Sequence, residues 1–183
     1  MRKIIVSVLG HDRPGIIATV SGVLFQSQCN IEDVSQTILQ TEFAGIFIAS
    51  CPESLKEDEL LGRLREKLDP MGLSALLREM EETGLWEAPP SEPFVITTMG
   101  PDRLGLVAGV TELLVRFGVN ISNLKAVFRG GDNPLANTMI YEVDIPINVD
   151  QDLFREALRE RGTELGIDIS LQHREIFEAI HRV

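Results

Sequence analysis

Asp12 and Asp102 are the side chains of this chain best placed to do chemistry. Each stands in a Gly-x-Asp-Arg-x-Gly hexapeptide, Gly10-His11-Asp12-Arg13-Pro14-Gly15 and Gly100-Pro101-Asp102-Arg103-Leu104-Gly105. A short apolar, β-branched segment precedes each hexapeptide and an apolar stripe of helical period follows it, so strand passes to helix within a few residues. The free N–H groups of a helix N-terminus, with the positive end of its dipole, suit a carboxylate or phosphate. Gly15 and Gly105 place no side chain over those donors. A carboxylate beside an anion-accepting helix end matches a zwitterion: carboxylate to the helix, ammonium to the Asp. Asn30 and Asn120, followed by Ile31 and Ile121, open the next strand. Their amides carry one acceptor and two donors and suit either end of an amino acid. A purely structural reading competes at both places, since Asp before a helix commonly caps it and Asn after a helix commonly forms a turn.

Other chemistry is poorly supplied. His11, His173 and His181 are too scattered for metal spacing, and Cys29 and Cys51 form no CxxC pair. No metal, cofactor or catalytic residue is expected. His11 is a solvated loop residue or a ligand contact. Arg13 and Arg103 pair either with a ligand carboxylate or with a surface acid. Gly130-Gly131 lacks the Lys and Ser/Thr of a phosphate loop.

The elements that must hold the hexapeptides occur twice, about ninety residues apart. Ala18 answers Ala108, Val20 answers Val110, Leu24 answers Leu114, and Asn30-Ile31 answers Asn120-Ile121. Such a repeat exceeds a solenoid unit and reads as a duplicated small domain. In the first copy, Lys3 to Leu9 is a strand, and Pro14-Gly15 starts a helix with Asp12 or Arg13 near its N-cap. Ile31 to Gln40 and Phe43 to Cys51 form a hairpin. Ser54-Leu55-Lys56-Glu57 fits a capping box ahead of a stripe at Leu60, Leu61, Leu64 and Leu68. Gly72 ends that helix and Leu73 to Met80 is a fourth strand.

The second copy runs from a strand at Phe94 to Met99, through a helix ending near Gly118, to a hairpin of Ile121 to Arg129 and Thr138 to Ile147. A second helix through Leu153, Phe154, Ala157 and Leu158 and a strand from Ile167 to Gln172 complete it. Gln28 stands where the second copy has Gly118, a left-handed position. The tail, Ile176-Phe177-x-x-Ile180, has helical spacing and no counterpart in the first copy. The expected boundaries are 1–86, a proline-rich linker at 87–93, and 94–183. The fold class is α+β, two ferredoxin-like βαββαβ domains in tandem. That plait hosts many functions and identifies none.

Composition excludes some classes. The net charge of −11 opposes direct binding to nucleic acid or to an anionic membrane. The apolar runs fall short of the roughly 20 residues that span a bilayer. The charged, β-branched N-terminus reads as a strand, not a signal peptide. Two cysteines make no disulfide framework, so the cytoplasm is the expected compartment, and Cys29 reads as a small buried residue.

Strand, Gly-x-Asp-Arg-Pro-Gly, helix, then Asn-Ile opening a strand resembles the ACT domain, the small regulatory module of amino-acid metabolism. The resemblance covers both halves, and the two-domain layout is similar to the glycine cleavage system transcriptional repressor group. It implies a non-catalytic regulatory protein that binds a small amino acid, glycine or serine, between paired domains. The implied ligand residues are Gly10, His11, Asp12, Gly15, Asn30 and Ile31 in one copy and Gly100, Asp102, Gly105, Asn120 and Ile121 in the other. It further implies assembly into a homo-oligomer and a regulatory protein partner such as a transcription activator. Pro14 faces Leu104 and His11 faces Pro101, so the copies need not do the same job. Two readings compete: an interaction adaptor that keeps the scaffold without a ligand, and an enzyme, for which no nucleophile-base pair is visible.

Overall fold

The computed structural model describes residues 1–80, 89–128 and 137–181. The chain divides into two compact units, Met1–Leu85 and Trp86–Val183. The first unit comprises β1 (Arg2–His11), α1 (Ile16–Gln26), β2 (Asn30–Leu39), β3 (Glu42–Cys51), α2 (Glu57–Leu68), a 3-10 turn (Asp69–Met71) and β4 (Leu73–Glu79). Its strands form one antiparallel sheet in the order β2-β3-β1-β4. Alternate residues of the two central strands, Ile4, Val6 and Val8 with Phe47 and Ala49, face the helices. The stripes Ile16, Val20, Val23 and Leu24 of α1 and Leu60, Leu64 and Leu68 of α2 close over them. Each such side chain stabilises the fold by about 2 kcal/mol through burial.

The second unit repeats the order with β5 (Ser91–Gly100), α3 (Leu106–Arg116), β6 (Asn120–Phe128), β7 (Asn137–Pro146), α4 (Gln151–Leu165) and β8 (Asp168–His173), and adds α5 (Arg174–His181). Its sheet order is β6-β7-β5-β8. Phe94, Ile96, Tyr141 and Val143 lie beneath Val110, Leu114, Phe154 and Leu158. Tyr141 is fully buried, with its hydroxyl donating to Met139 Sδ at 3.5 Å, and burial pushes its phenol pKa up. The two βαββαβ units in tandem are the α+β arrangement that the periodicity requires.

Several local expectations are corrected. Helix α1 starts at Ile16, not at Pro14, and its N-cap is Gly15 in the left-handed region at φ 99°. Gly105 caps α3 in the same way at φ 87°. Neither Asp12 nor Arg13 occupies the cap, and no side chain caps α1 or α3. The Ser54–Glu57 capping box does not form; Lys56 is the N-cap of α2 and no side chain caps it. Strand β5 begins at Ser91, so Ser91, Glu92 and Pro93 belong to the sheet. Pro93 sits opposite Asp144 in the ladder. Gln28 adopts the left-handed position at φ 58°, as Gly118 does at φ 66°. Residues 130–134, read as the long hairpin tip, lie outside the described residues, as does Arg129.

The cysteines are also corrected. Cys29 and Cys51 form a disulfide, with Cα atoms 4.3 Å apart, rather than remaining separate thiols. They precede Asn30 and follow Ser50, which face each other across β2 and β3. The register therefore brings both sulfurs into the same core, a proximity that a 22-residue separation does not announce.

Candidate functional site

Each hexapeptide is the joint between the first strand of its unit and the first helix. Its residues separate into those that packing accounts for and those it leaves over. A Cβ on Gly10 would lie 2.7 Å from the Gly72 carbonyl oxygen, and one on Gly100 would lie 2.6 Å from Ile167 Cγ2. The first glycine thus admits the connection that enters the last strand. The final glycine supplies the left-handed cap. Arg13 Nη1 donates to the Met71 carbonyl at 3.3 Å, Arg103 Nη2 donates to those of Leu165 and Gly166 at 2.8 and 3.2 Å, and neither pairs with an acid among the described residues. In both copies the guanidinium therefore satisfies carbonyls where the second helical segment ends.

Neither aspartate carboxylate caps the helix that follows it. The Asp12 backbone N–H donates to the Thr41 carbonyl at 2.8 Å, which pins the loop to the β2–β3 turn. The exposed Asp12 carboxylate makes no hydrogen bond or ion pair among the described residues. It stands exposed just ahead of α1. His11 ends β1, with Nδ1 3.4 Å from Glu42 Oε1, both side chains being exposed. In the second copy, Asn137 Nδ2 donates to Asp102 Oδ1 at 3.2 Å. Asn137 was not among the sequence candidates. Its signal was its phase: it precedes Met139, Tyr141, Val143 and Ile145 on the core-facing side of β7, where an apolar residue belongs. An open cleft of about 520 Å³ lies at the root of this loop, between Gly100 and Pro101 on one side and Arg159, Thr163 and Asp168 on the other.

The Asn-Ile steps lie elsewhere. Asn30 pairs with Ser50, which pairs with Lys3, at the start of β1; Asp12 follows the other end of that strand. Eight residues of strand put them roughly 25 Å apart. Asn120 pairs with Asp144, opposite Pro93, and is likewise at the far end of its sheet from Asp102. One copy therefore does not bring its Asp and its Asn to the same small molecule. Asn30 and Asn120 are exposed strand residues, with Ile31 and Ile121 packed against their respective cores. A β-bulge follows each isoleucine. Beside Asn30, Lys3 Nζ lies 2.7 Å from Glu32 Oε2. Its hydrogen bond, aided by the Ser50 hydroxyl and opposed by desolvation, holds the Glu32 carboxyl below its ordinary pKa.

No grouping of three or more His, Cys, Asp or Glu suited to a metal ion occurs among the described residues, and no helix there is long and apolar enough to cross a membrane. What decides the family is the duplicated joint in two antiparallel βαββαβ units: the ACT domain profile matches residues 2–77 and again residues 92–172. The chain belongs to the ACT domain family. Its ACT units have relatives in archaea. A UPF0237 protein of Methanopyrus kandleri is 43% identical over 72 residues, 39% of this chain and 77% of that protein. A UPF0237 protein of Methanosarcina acetivorans is 33% identical over 94 residues, 51% of this chain and 98% of that protein. An unknown protein from Galdieria sulphuraria is similar in structure, at TM-score 0.73 and 25% identity over 94% of this chain and 98% of that one. A structure provisionally named a glycine cleavage system transcriptional repressor has TM-score 0.62 and 19% identity, covering 93% of this chain and 96% of its own, a likeness of fold.

Proposed function

We propose that this tandem ACT protein is a non-catalytic regulator that binds a small amino acid, glycine or serine before others, and thereby modulates a protein partner. The observation that carries this reading is the Asp12 carboxylate, which makes no hydrogen bond or ion pair among the described residues. Asp12 and Asp102 stand beside helix N-termini that glycines cap, so neither is used as a capping group. An ammonium group at the carboxylate and a carboxylate at the exposed N–H groups match the two ends of an amino acid.

The separation of Asp and Asn within a copy means that a shared site takes its loop from one domain and its Asn-Ile step from another. Pairing of domains, within a chain or between chains of a homo-oligomer, meets that requirement. Ligand bound across such a pair shifts affinity for the partner, and the partner shifts affinity for the ligand equally. With a net charge of −11, operator contact is assigned to the partner, a transcription activator, rather than to this chain. We assign the protein to the cytoplasm and to transcriptional control of amino-acid or glycine metabolism on the likeness to the repressor fold alone, since the Cys29–Cys51 disulfide removes the cysteine argument for that compartment. The proline-rich segment before Ser91 is assigned as the link between the two domains.

A ligand-free adaptor is the second reading. It is favoured by the glycines and arginines of the hexapeptide, which packing accounts for without any ligand. Titration calorimetry of the folded, ligand-free chain against the twenty amino acids separates the two. Heat with glycine or serine is the expected result; silence with all twenty leaves the adaptor.

A further inference from the structure

The residues of β1 and β3 that alternate with the core side chains stand on the other side of the first sheet, away from α1 and α2. Strand register lays that side out in rows. One row runs Asp33, Ile48, Ile5, Arg78 across β2, β3, β1 and β4, and the next runs Ser35, Ile46, Ser7, Leu76. Ile46 is 52% exposed and Leu76 63%. The matching rows of the second sheet are Asn123, Glu142, Val95, Gln172 and Lys125, Ile140, Thr97, Ser170. Glu142 and Ser170 thus stand where the first sheet has Ile48 and Leu76. The second face is also covered from within its own unit. Helix α5 packs against β5 and β8, Val95 is 1% exposed, and Arg174 reaches Glu142 at 4.0 Å and Asp144 at 3.8 Å. Among the described residues the first unit has no counterpart of α5. Of two sister faces, one is polar and roofed, and the other is apolar and open.

We propose that the open face of the first sheet joins two copies of this chain, sheet to sheet, about a two-fold axis parallel to the strands. Such an axis lays each row over its own reverse. Asp33 of one copy then meets Arg78 of the other, and Ile48 meets Ile5, each contact occurring twice. Asp33 and Arg78 are exposed and make no ion pair among the described residues. Opposite charges at the two ends of a row with an apolar centre are self-complementary under this operation. An axis across the strands would stack β2 on β2 and lose the match. Four strands about 4.8 Å apart, over about seven residues at about 3.4 Å each, present roughly 450 Å² per copy. Covering both faces removes roughly 900 Å², close to the lower bound of a specific interface. Sheets packed about 10 Å apart let Ile5, Ile46, Ile48 and Leu76 interdigitate with their counterparts. The inference does not rest on the amino-acid reading, and it leaves the β2 and β4 edges open.

Sedimentation of the full-length chain tests the assignment. The wild type should be a dimer at micromolar concentration, and Ile46→Glu a folded monomer. Asp33→Arg and Arg78→Asp should each weaken the dimer about tenfold or more, because each sets like charges opposite one another. An equimolar mixture of those two variants should form a heterodimer tighter than either homodimer, since each then supplies the charge that the other lacks. Should Ile46→Glu fail to fold, the two charge reversals, both at exposed positions, still decide. A monomeric wild type overturns the assignment and leaves the face to a different occupant, such as a helix of another protein. A dimer that survives both reversals, or a mixture no tighter than its components, places the contact elsewhere and overturns it as well. None of these results bears on amino-acid binding.

Discussion

Arg103 donates Nη2 to the Leu165 carbonyl at 2.8 Å, across 62 residues of chain, and so ties the loop ahead of α3 to the end of α4. Arg13 does the same at Met71 in the first unit. A guanidinium in this role acts on folding. Arg103→Ala should destabilise the protein by about 1 kcal/mol, the range of one net hydrogen bond to a carbonyl. Urea unfolding measures the loss, and amino-acid affinity should follow only in proportion to the folded fraction. A large affinity loss at unchanged stability would return Arg103 to the ligand.

The glycines of the hexapeptide should rank by mechanism. Gly15→Ala and Gly105→Ala meet no atom within 4 Å and cost only the left-handed backbone, about 1–2 kcal/mol each. Gly10→Ala combines a positive φ with a Cβ 2.7 Å from the Gly72 backbone oxygen and should cost more than either. Thermal melts of the three variants give the order directly.

Asp12→Ala and Asp102→Ala should weaken amino-acid binding, at least one of them by more than about 1 kcal/mol, the loss of a charge-assisted hydrogen bond. Asp12→Ala should leave stability within about 0.5 kcal/mol, because no cap is lost. Calorimetric titration with parallel melts checks both statements. If both variants stay folded and bind like the wild type, the loop is not the site.

The Cys29–Cys51 bond closes a loop of modest length, and opening it should cost about 3 kcal/mol by chain entropy. Reductant should lower the melting temperature of the wild type and leave that of Cys29→Val/Cys51→Val unchanged. The second unit has Val119 and Ile145 at the corresponding places, both buried, so apolar packing there suffices for the fold. Thiol counting under denaturing conditions, before and after reduction, tests the bond itself.

Glu32 should titrate below the ordinary glutamate value, because the hydrogen bond from Lys3 favours its charged form. A depressed folded pKa contributes stability that is present above the unfolded value and is lost as pH falls through the folded one. Carboxyl NMR titration should show the midpoint rising toward the ordinary value in Lys3→Met.

The hexapeptide shows where reading residues in line stops. Its repetition, its strand and helix neighbours and the Asn-Ile steps were legible because alternation and helical period are local properties of the chain. Duplication also made the α+β plait legible twice. The roles of Gly10 and Arg13 were not legible, because Gly72 and Met71 reach them only through the β1–β4 pairing. The helix start was misplaced by two residues because Pro14 fits a first helical position and Gly15 fits a cap, and local preference does not choose between them.

By itself, the sequence determined two copies, their element order, their cores and the joint at which a carboxylate meets a helix. Those follow from periodicity and composition, which neighbouring residues impose on one another. Tertiary structure alone decided that Asp12 and Asn30 stand at opposite ends of a sheet, that Cys29 meets Cys51, and that Asn137 reaches Asp102. Strand register sets each of these, and register is a contest among long-range pairings won by burial of one face. The same register places Phe43 beside the first loop and Asn137 beside the second, so it is the fold that makes the two copies chemically unequal.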